Sequence, residues 1–266
     1  MTSRTWAAAI GSALCLIAPQ QCWADDAGLH GVLGMSYNSH YVSYGSDVWA
    51  GGDNFFGKQA VSFLSGLLSF KWDAFTADVS LFATLKDPPS GSVSANVQEV
   101  DASLGGAYSF GSTTVSAHYQ EWRYLGDSEN IVDLGASFDD SSLVGRFHPA
   151  VLWHVRIKGN GAQREGSALV ASIAPGLPVG ESGLYASIPA GVGFFLTDDF
   201  KGGTKSGYAY SYVGASLDIP LHFIPSDYGA WTVNLNTYYY MTDSAALPFN
   251  VAENFATGSF GLRVAF

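Results

Sequence analysis

Charged side chains are scarce in this chain. They make up 13% of its 266 residues, against about 25% in ordinary soluble proteins. Bases are scarcer than acids: 12 Lys and Arg stand against 23 Asp and Glu, a formal charge of -11. Phosphate backbones are held by clustered Lys and Arg, so this balance argues against nucleic acid as a partner. Cysteine is nearly absent. Cys15 and Cys22 both fall within residues 1–24, which read as an export signal. Arg4 supplies the positive start, residues 6–18 an apolar run, and Cys22 and Ala24 the small residues that signal peptidase reads. The apolar run is shorter than the roughly 20 residues of a spanning helix. Leu14 and Gln21 precede the cysteines where a lipoprotein signal has a small residue. With the signal removed, residues 25–266 form one domain without cysteine, hence without disulfides or thiolate metal ligands. That remainder also lacks any run near 18 or so apolar residues, which excludes helical membrane spans.

What is abundant is glycine and aromatic residues, with Gly 31, Tyr 14 and Phe 17, in alternating order. At the C-terminus, Phe260, Leu262, Val264 and Phe266 fall on one face and Ser259, Gly261, Arg263 and Ala265 on the other. Period-2 alternation marks a strand with one apolar and one polar face. The same style recurs in residues 29–41, 59–72, 75–85, 97–110, 113–124, 131–138, 143–158, 168–177, 184–196, 207–223, 231–241 and 256–266. The clearest cases set Phe75, Ala77, Val79 and Leu81 against Thr76, Asp78 and Ser80, and Phe147, Val151, Trp153 and Ile157 against Arg146, His148, His154 and Arg156.

The expected fold is all-β: a transmembrane antiparallel up-and-down barrel of about twelve strands, with both termini periplasmic. Connections after odd-numbered strands read as long and polar, those after even-numbered strands as short turns, such as Gly111-Ser112. Bacterial barrels keep long extracellular loops and short periplasmic turns in this phase, and a soluble sandwich has no reason to. Strands of about ten residues suit a tilted crossing, whereas sandwich strands are nearer five or six. Aromatics on the apolar face gather near strand ends, among them Tyr37, Tyr41, Trp72, Phe75, Tyr108, Phe110, Phe223, Trp231 and Tyr239, where interfacial girdles belong.

If the apolar face meets lipid, the polar face lines a lumen. Its expected lining is Lys71, Asp78, Glu99, Asp101, His118, Asp133, Arg146, His148, His154, Arg156, Tyr210, Asp218, Asn234, Asn236 and Arg263. Acids from the third, fourth and sixth strands and the arginines of the seventh would set a transverse field across a constriction, the kind of arrangement that tunes solute passage. The plainer alternative is that these charges pair into a network that plugs the lumen. Tyr208, Tyr210, Tyr212, Tyr238 and Tyr240 form an aromatic cluster, either space-filling or a stacking surface for sugar-like rings. No cofactor, metal site or catalytic residue is expected. His148 and His154, six apart on one strand, would stand about 20 Å from each other, and a Ser–His pair with an orienting third group is not evident.

The alternation, the loop phasing and the terminal Phe266 resemble the small outer-membrane porins of Gram-negative bacteria. Residues 36–45, SYNSHYVSYG, resemble the opening strand of a porin family in which a basic residue precedes the glycine. Here Tyr44 stands in that place, so no functional residue is carried over. The resemblance implies outer-membrane lipids as surroundings and recognition of the Phe266 strand by the barrel-assembly machinery. The expected function is passive diffusion of small hydrophilic solutes. The alternative is a structural or surface-interaction barrel using residues 42–58 and 242–255 as contact loops; an outer-membrane lipid hydrolase ranks below both. Only Asp25 to Gly28 separate the signal from the first strand, which leaves an autotransporter no passenger.

Overall fold

The computed structural model describes residues 27–86, 96–124, 126–140, 146–160 and 163–266. The export signal of residues 1–24, most of the 86–96 loop and the residues from Ser142 to Gly145 lie outside the described residues.

Twelve antiparallel strands close into a barrel. They are β1 (Gly28–Asn38), β2 (Val61–Trp72), β3 (Phe75–Leu85), β4 (Val97–Phe110), β5 (Thr113–Tyr124), β6 (Asp127–Phe138) and β7 (Ala150–Lys158). The remainder are β8 (Gly166–Ile173, continuing as Gly176–Val179), β9 (Leu184–Ser187 and Ala190–Phe195), β10 (Gly207–Pro220), β11 (Ala230–Thr242) and β12 (Asn254–Ala265). Each pairs with its neighbours in sequence, and β12 closes on β1 with Val32 opposite Ala265 and Asn38 opposite Ser259. A closed ring leaves no edge with unpaired N–H and C=O groups, the condition for a sheet to exist in lipid. The start of β1 and the end of β12 lie at one end of the barrel, called the terminal end; the opposite end is the loop end. Among the described residues no helix is long and apolar enough to cross a membrane.

The hydrophobic distribution is inside out. Leu33, Leu68, Leu81, Leu104, Val115, Leu134, Trp153, Leu235 and Phe260 are all exposed. Their neighbours one residue along are half-buried or buried and point inward, as pleating requires. Exposed aromatics cap this belt: Trp72, Phe75, Tyr108, Phe110 and Phe266 at the terminal end, Tyr37, Tyr119 and Tyr239 nearer the loops.

Four expectations are corrected. Residues 146–149 are not strand: β7 begins at Ala150, because Asp140 accepts the Phe147 and His148 backbone N–H groups and Pro149 has none to give the ladder. Arg146 and His148 sit there at positive φ, 41° and 47°. The β5–β6 connection is a tight turn between Tyr124 and Asp127, while the β6–β7 connection at the other end is long, so the strict loop phasing fails at this pair. In β10 the register shifts opposite Gly193/Phe194. That bulge buries Ala209 and turns Tyr208 outward, 38% exposed, reversing both faces assigned from alternation. Finally, β1 stops at Asn38, and Tyr41 is no girdle residue: it is 2% exposed and lies inside the barrel.

Candidate functional site: an occupied lumen

The connection after β1 explains the burial of Tyr41. Residues 39–60 fold back into the loop end of the barrel, where Val42–Ser43 and Ser46–Asp47 form a two-stranded hairpin. Tyr44 and Gly45 at its tip have positive φ. Gly45 presses on Tyr210: a Cβ there would lie 2.5 Å from the ring, so only glycine fits. Several strands and a neighbouring loop hold this connection. Ser39 Oγ accepts the Gly258 N–H (2.8 Å), and Ser39 N–H donates to Gly258 O (2.8 Å). Tyr41 packs on Phe63 of β2. Asn250, from the β11–β12 loop, accepts the Asp47 N–H and donates to Gly45 O, each at 2.9 Å.

The deepest contact crosses the lumen. The Tyr44 hydroxyl lies 2.6 Å from His154 Nδ1, and Asp133 Oδ1 lies 2.7 Å from the same nitrogen. Asp133 Oδ2 accepts from Gln120, whose carbonyl accepts the Trp122 indole N–H. Beside this chain Arg156 donates to Glu129 (2.6 Å) with both side chains fully buried, and to the carbonyls of Arg164 and Phe200. Breaking a buried pair of this kind costs about 3–5 kcal/mol. Arg156 is therefore part of the packing and not a free cation awaiting a solute. The β9–β10 loop adds Phe200, stacked under the Arg156 guanidinium at 4.4 Å, and Lys201, whose ammonium reaches Ser43 Oγ at 3.3 Å. Burial pushes Lys201 down to about 8 and drives the Tyr44 phenol upward.

Of the lining expected from sequence, Lys71, Asp78, Glu99, Asp101, His118, Asp133, His154, Arg156, Tyr210, Asp218, Asn234, Asn236 and Arg263 do occupy inward strand positions. They fall into two groups. Asp133, His154, Arg156 and Tyr210 are joined through the hairpin at the loop side, with Glu99 and Asp101 against Tyr41. Towards the terminal end Asp78 meets His118 (3.1 Å) and Asp218 accepts from Asn234, with Arg263 acting on it as the opposing charge. Asn236 donates to Ser259. Arg146 and His148 are not on the wall; Arg146 is exposed, and His148 pairs with Asp140 at 3.2 Å in the β6–β7 connection. Without Arg146 the expected basic wall reduces to Arg156, itself neutralised, so pairing prevails over an open transverse field on that side.

Sequence reasoning missed Glu129, Tyr44, Lys201 and Gln163. Glu129 was within reach, since it keeps the two-residue phase of Ile131 and Asp133; the others sit on connections with no period to read. The tyrosines act as filler, with Tyr212, Tyr238 and Tyr240 in mutual contact at 5.7–6.3 Å and Tyr240 stacked on Phe255 at 5.2 Å. Ser39 and His40 make a Ser–His contact of 2.8 Å, but both are buried and Ser39 Oγ also accepts the Gly258 N–H. Among the described residues no cluster of three or more His, Cys, Asp and Glu is arranged to hold a metal ion.

This architecture is a closed twelve-stranded antiparallel barrel with a polar interior and an inward-folded loop, a fold shared with solved outer-membrane porins. Solved structures agree. The KdgM porin matches over 88% of this chain and 99% of its own, with 8% identity and a TM-score of 0.52. A membrane protein solved in a study of in-meso crystallization matches over 89% and 84%, with 14% identity and a TM-score of 0.51. At such identities the likeness is one of fold. No known protein family matches the chain, and no curated protein sequence does.

Proposed function

We propose that the chain is an outer-membrane channel of a Gram-negative bacterium that passes small polar solutes by diffusion, constricted by the hairpin of residues 42–47. The observation that carries this reading is the wall itself. Charged and polar side chains face inward along the barrel from Lys71 at the terminal end to Glu99 at the loop end, under an apolar belt facing outward. On this reading outer-membrane lipids surround the belt, both termini are periplasmic, the strand ending in Phe266 is read by the assembly machinery, and the barrel performs no catalysis.

A second reading has its own support. The buried Tyr44–His154 contact and Glu129–Arg156 pair fit a barrel whose lumen is permanently filled and whose work is structural. Planar-bilayer recordings separate the two. The channel reading expects conductance steps from the refolded protein, and larger ones when residues 42–47 are replaced by a short Gly-Ser link. If neither protein conducts while both migrate as folded barrels on unboiled gels, the channel reading fails and the structural one stands.

A further inference from the structure

The inward carboxylates of the barrel wall are not equally partnered. Asp78 has His118 at 3.1 Å, Asp133 has His154 at 2.7 Å, and Glu129 has Arg156 at 2.6 Å. Asp218 accepts from Asn234 and feels Arg263. Glu99 and Asp101 are the exception. They stand two residues apart on the inner face of β4, 3% and 4% exposed, and their carboxyl groups are within hydrogen-bonding reach of each other. The Tyr41 and Tyr124 hydroxyls donate to Glu99. Even so, among the described residues Glu99 Oε1 and Asp101 Oδ1 are buried without a hydrogen-bond partner. Lys201 acts on Glu99 electrostatically, but its ammonium hydrogen bonds go to Ser43 and Gln163.

Among the described residues, hydroxyl groups on the same inner face are orphaned too. Thr84 pairs directly opposite Glu99 and is fully buried, yet its Oγ1 has no partner. Ser103 follows Asp101 on the same face, with Ser80 opposite it; both are at least nine-tenths buried and neither Oγ is bonded. Buried polar atoms are nearly always paired, so a run of them on two adjacent strands marks a missing partner. Every orphan in the run is an oxygen. Two carboxylates in contact and away from water cannot both stay charged unless a positive charge joins them. All-oxygen donor sets suit hard cations, and soft or borderline metals prefer nitrogen or sulfur. With Lys201 acting on Glu99, one negative charge is left over on the pair, which a monovalent ion cancels.

We propose that Glu99 and Asp101, with the hydroxyl of Thr84, form a binding station for an alkali-metal cation on the barrel wall. This deepens the channel reading and rests on it for its consequence: a solute path that passes a cation station selects cations. Binding itself needs no current, so it is tested separately.

The experiment is thermal unfolding of the refolded full-length barrel in detergent at constant ionic strength, with the cation series run at one neutral and one acidic pH. Sodium or potassium chloride is compared with N-methylglucamine chloride, with calcium chloride as a further arm. The station expects a Tm about 3 °C higher in the alkali salt once the ion stands about ten-fold above its Kd. Glu99→Gln and Asp101→Asn should each abolish that increment. A wild-type Tm indifferent to cation identity overturns the proposal, whether or not the variants fold. So does stability that follows pH alone, the signature of a proton shared by the two carboxyls, and so does a response confined to calcium. A cation-dependent Tm in a barrel that never conducts leaves the station standing and removes the channel.

Discussion

Lys201 keeps an ammonium group inside the barrel mouth on weak terms. Its hydrogen bonds to Ser43 and Gln163 are long, 3.3 and 3.4 Å, and the Tyr44 and Phe200 rings lie 5.8 and 5.9 Å away. Desolvation lowers its pKa from the ordinary 10.5 to about 8. Below about 8 the lysine is protonated in both folded and unfolded chains, and the full cost of burying the charge is present. Between that value and the ordinary one the unfolded chain holds the extra proton, so the cost shrinks as pH rises. Lys201→Met should therefore be more stable than wild type at neutral pH, with the advantage narrowing above pH 8 or so. Paired urea titrations at neutral and alkaline pH read this directly. A gap that stays constant would mean that something other than buried charge sets it.

Among the elements, the β1–β12 seam makes the whole sheet continuous. Its last pair of hydrogen bonds joins Gly31 N–H to Phe266 O at 2.7 Å and Phe266 N–H to Gly31 O at 2.9 Å. The Phe266 ring lies over Gly31, where a Cβ would come within 2.4 Å of it. Gly31→Val should push the aromatic off the seam at a cost of about 1–3 kcal/mol, and the fraction of refolded protein that resists unfolding in unboiled detergent gels should fall. An exposed position away from the seam, such as Ala117 on the outer face, should accept Ala117→Val with little effect on that fraction. The seam was legible in the sequence because alternation reports which face a residue takes, and β12 alternates without interruption. Connections carry no such signal. Residues 39–60 are polar and glycine-rich in the way surface loops are, and nothing in their order says that Tyr41 and Tyr44 turn into the lumen. Arg146 and His148 misled for a related reason: they keep the period of β7, but Asp140 and Pro149 end the ladder before it reaches them. Period alone is equally blind to the bulge that reverses Tyr208 and Ala209.

For the whole molecule, the decisive property is the solvent on its outside. Leu104 stands near the middle of β4 and is 62% exposed. In water, Leu104→Arg would change stability little. In a bilayer the same change places a charge in hydrocarbon, at about 2–4 kcal/mol near the midplane. Urea unfolding from lipid vesicles should register that loss in full, and a near-zero change would argue against a membrane barrel.

Ser39 bonds to Gly258 across 219 residues of sequence, and Gly45 to Asn250 across 205. Two of the fixings of the earliest loop thus lie in the final loop and strand. As the chain is made, the hairpin emerges first, and these last holds on it form only when the chain is complete. Contacts so distant in sequence form slowly, so the lumen is filled only after the wall has closed. A barrel halted just before that step would be a ring with an empty bore, wider while it is being made than once it is finished.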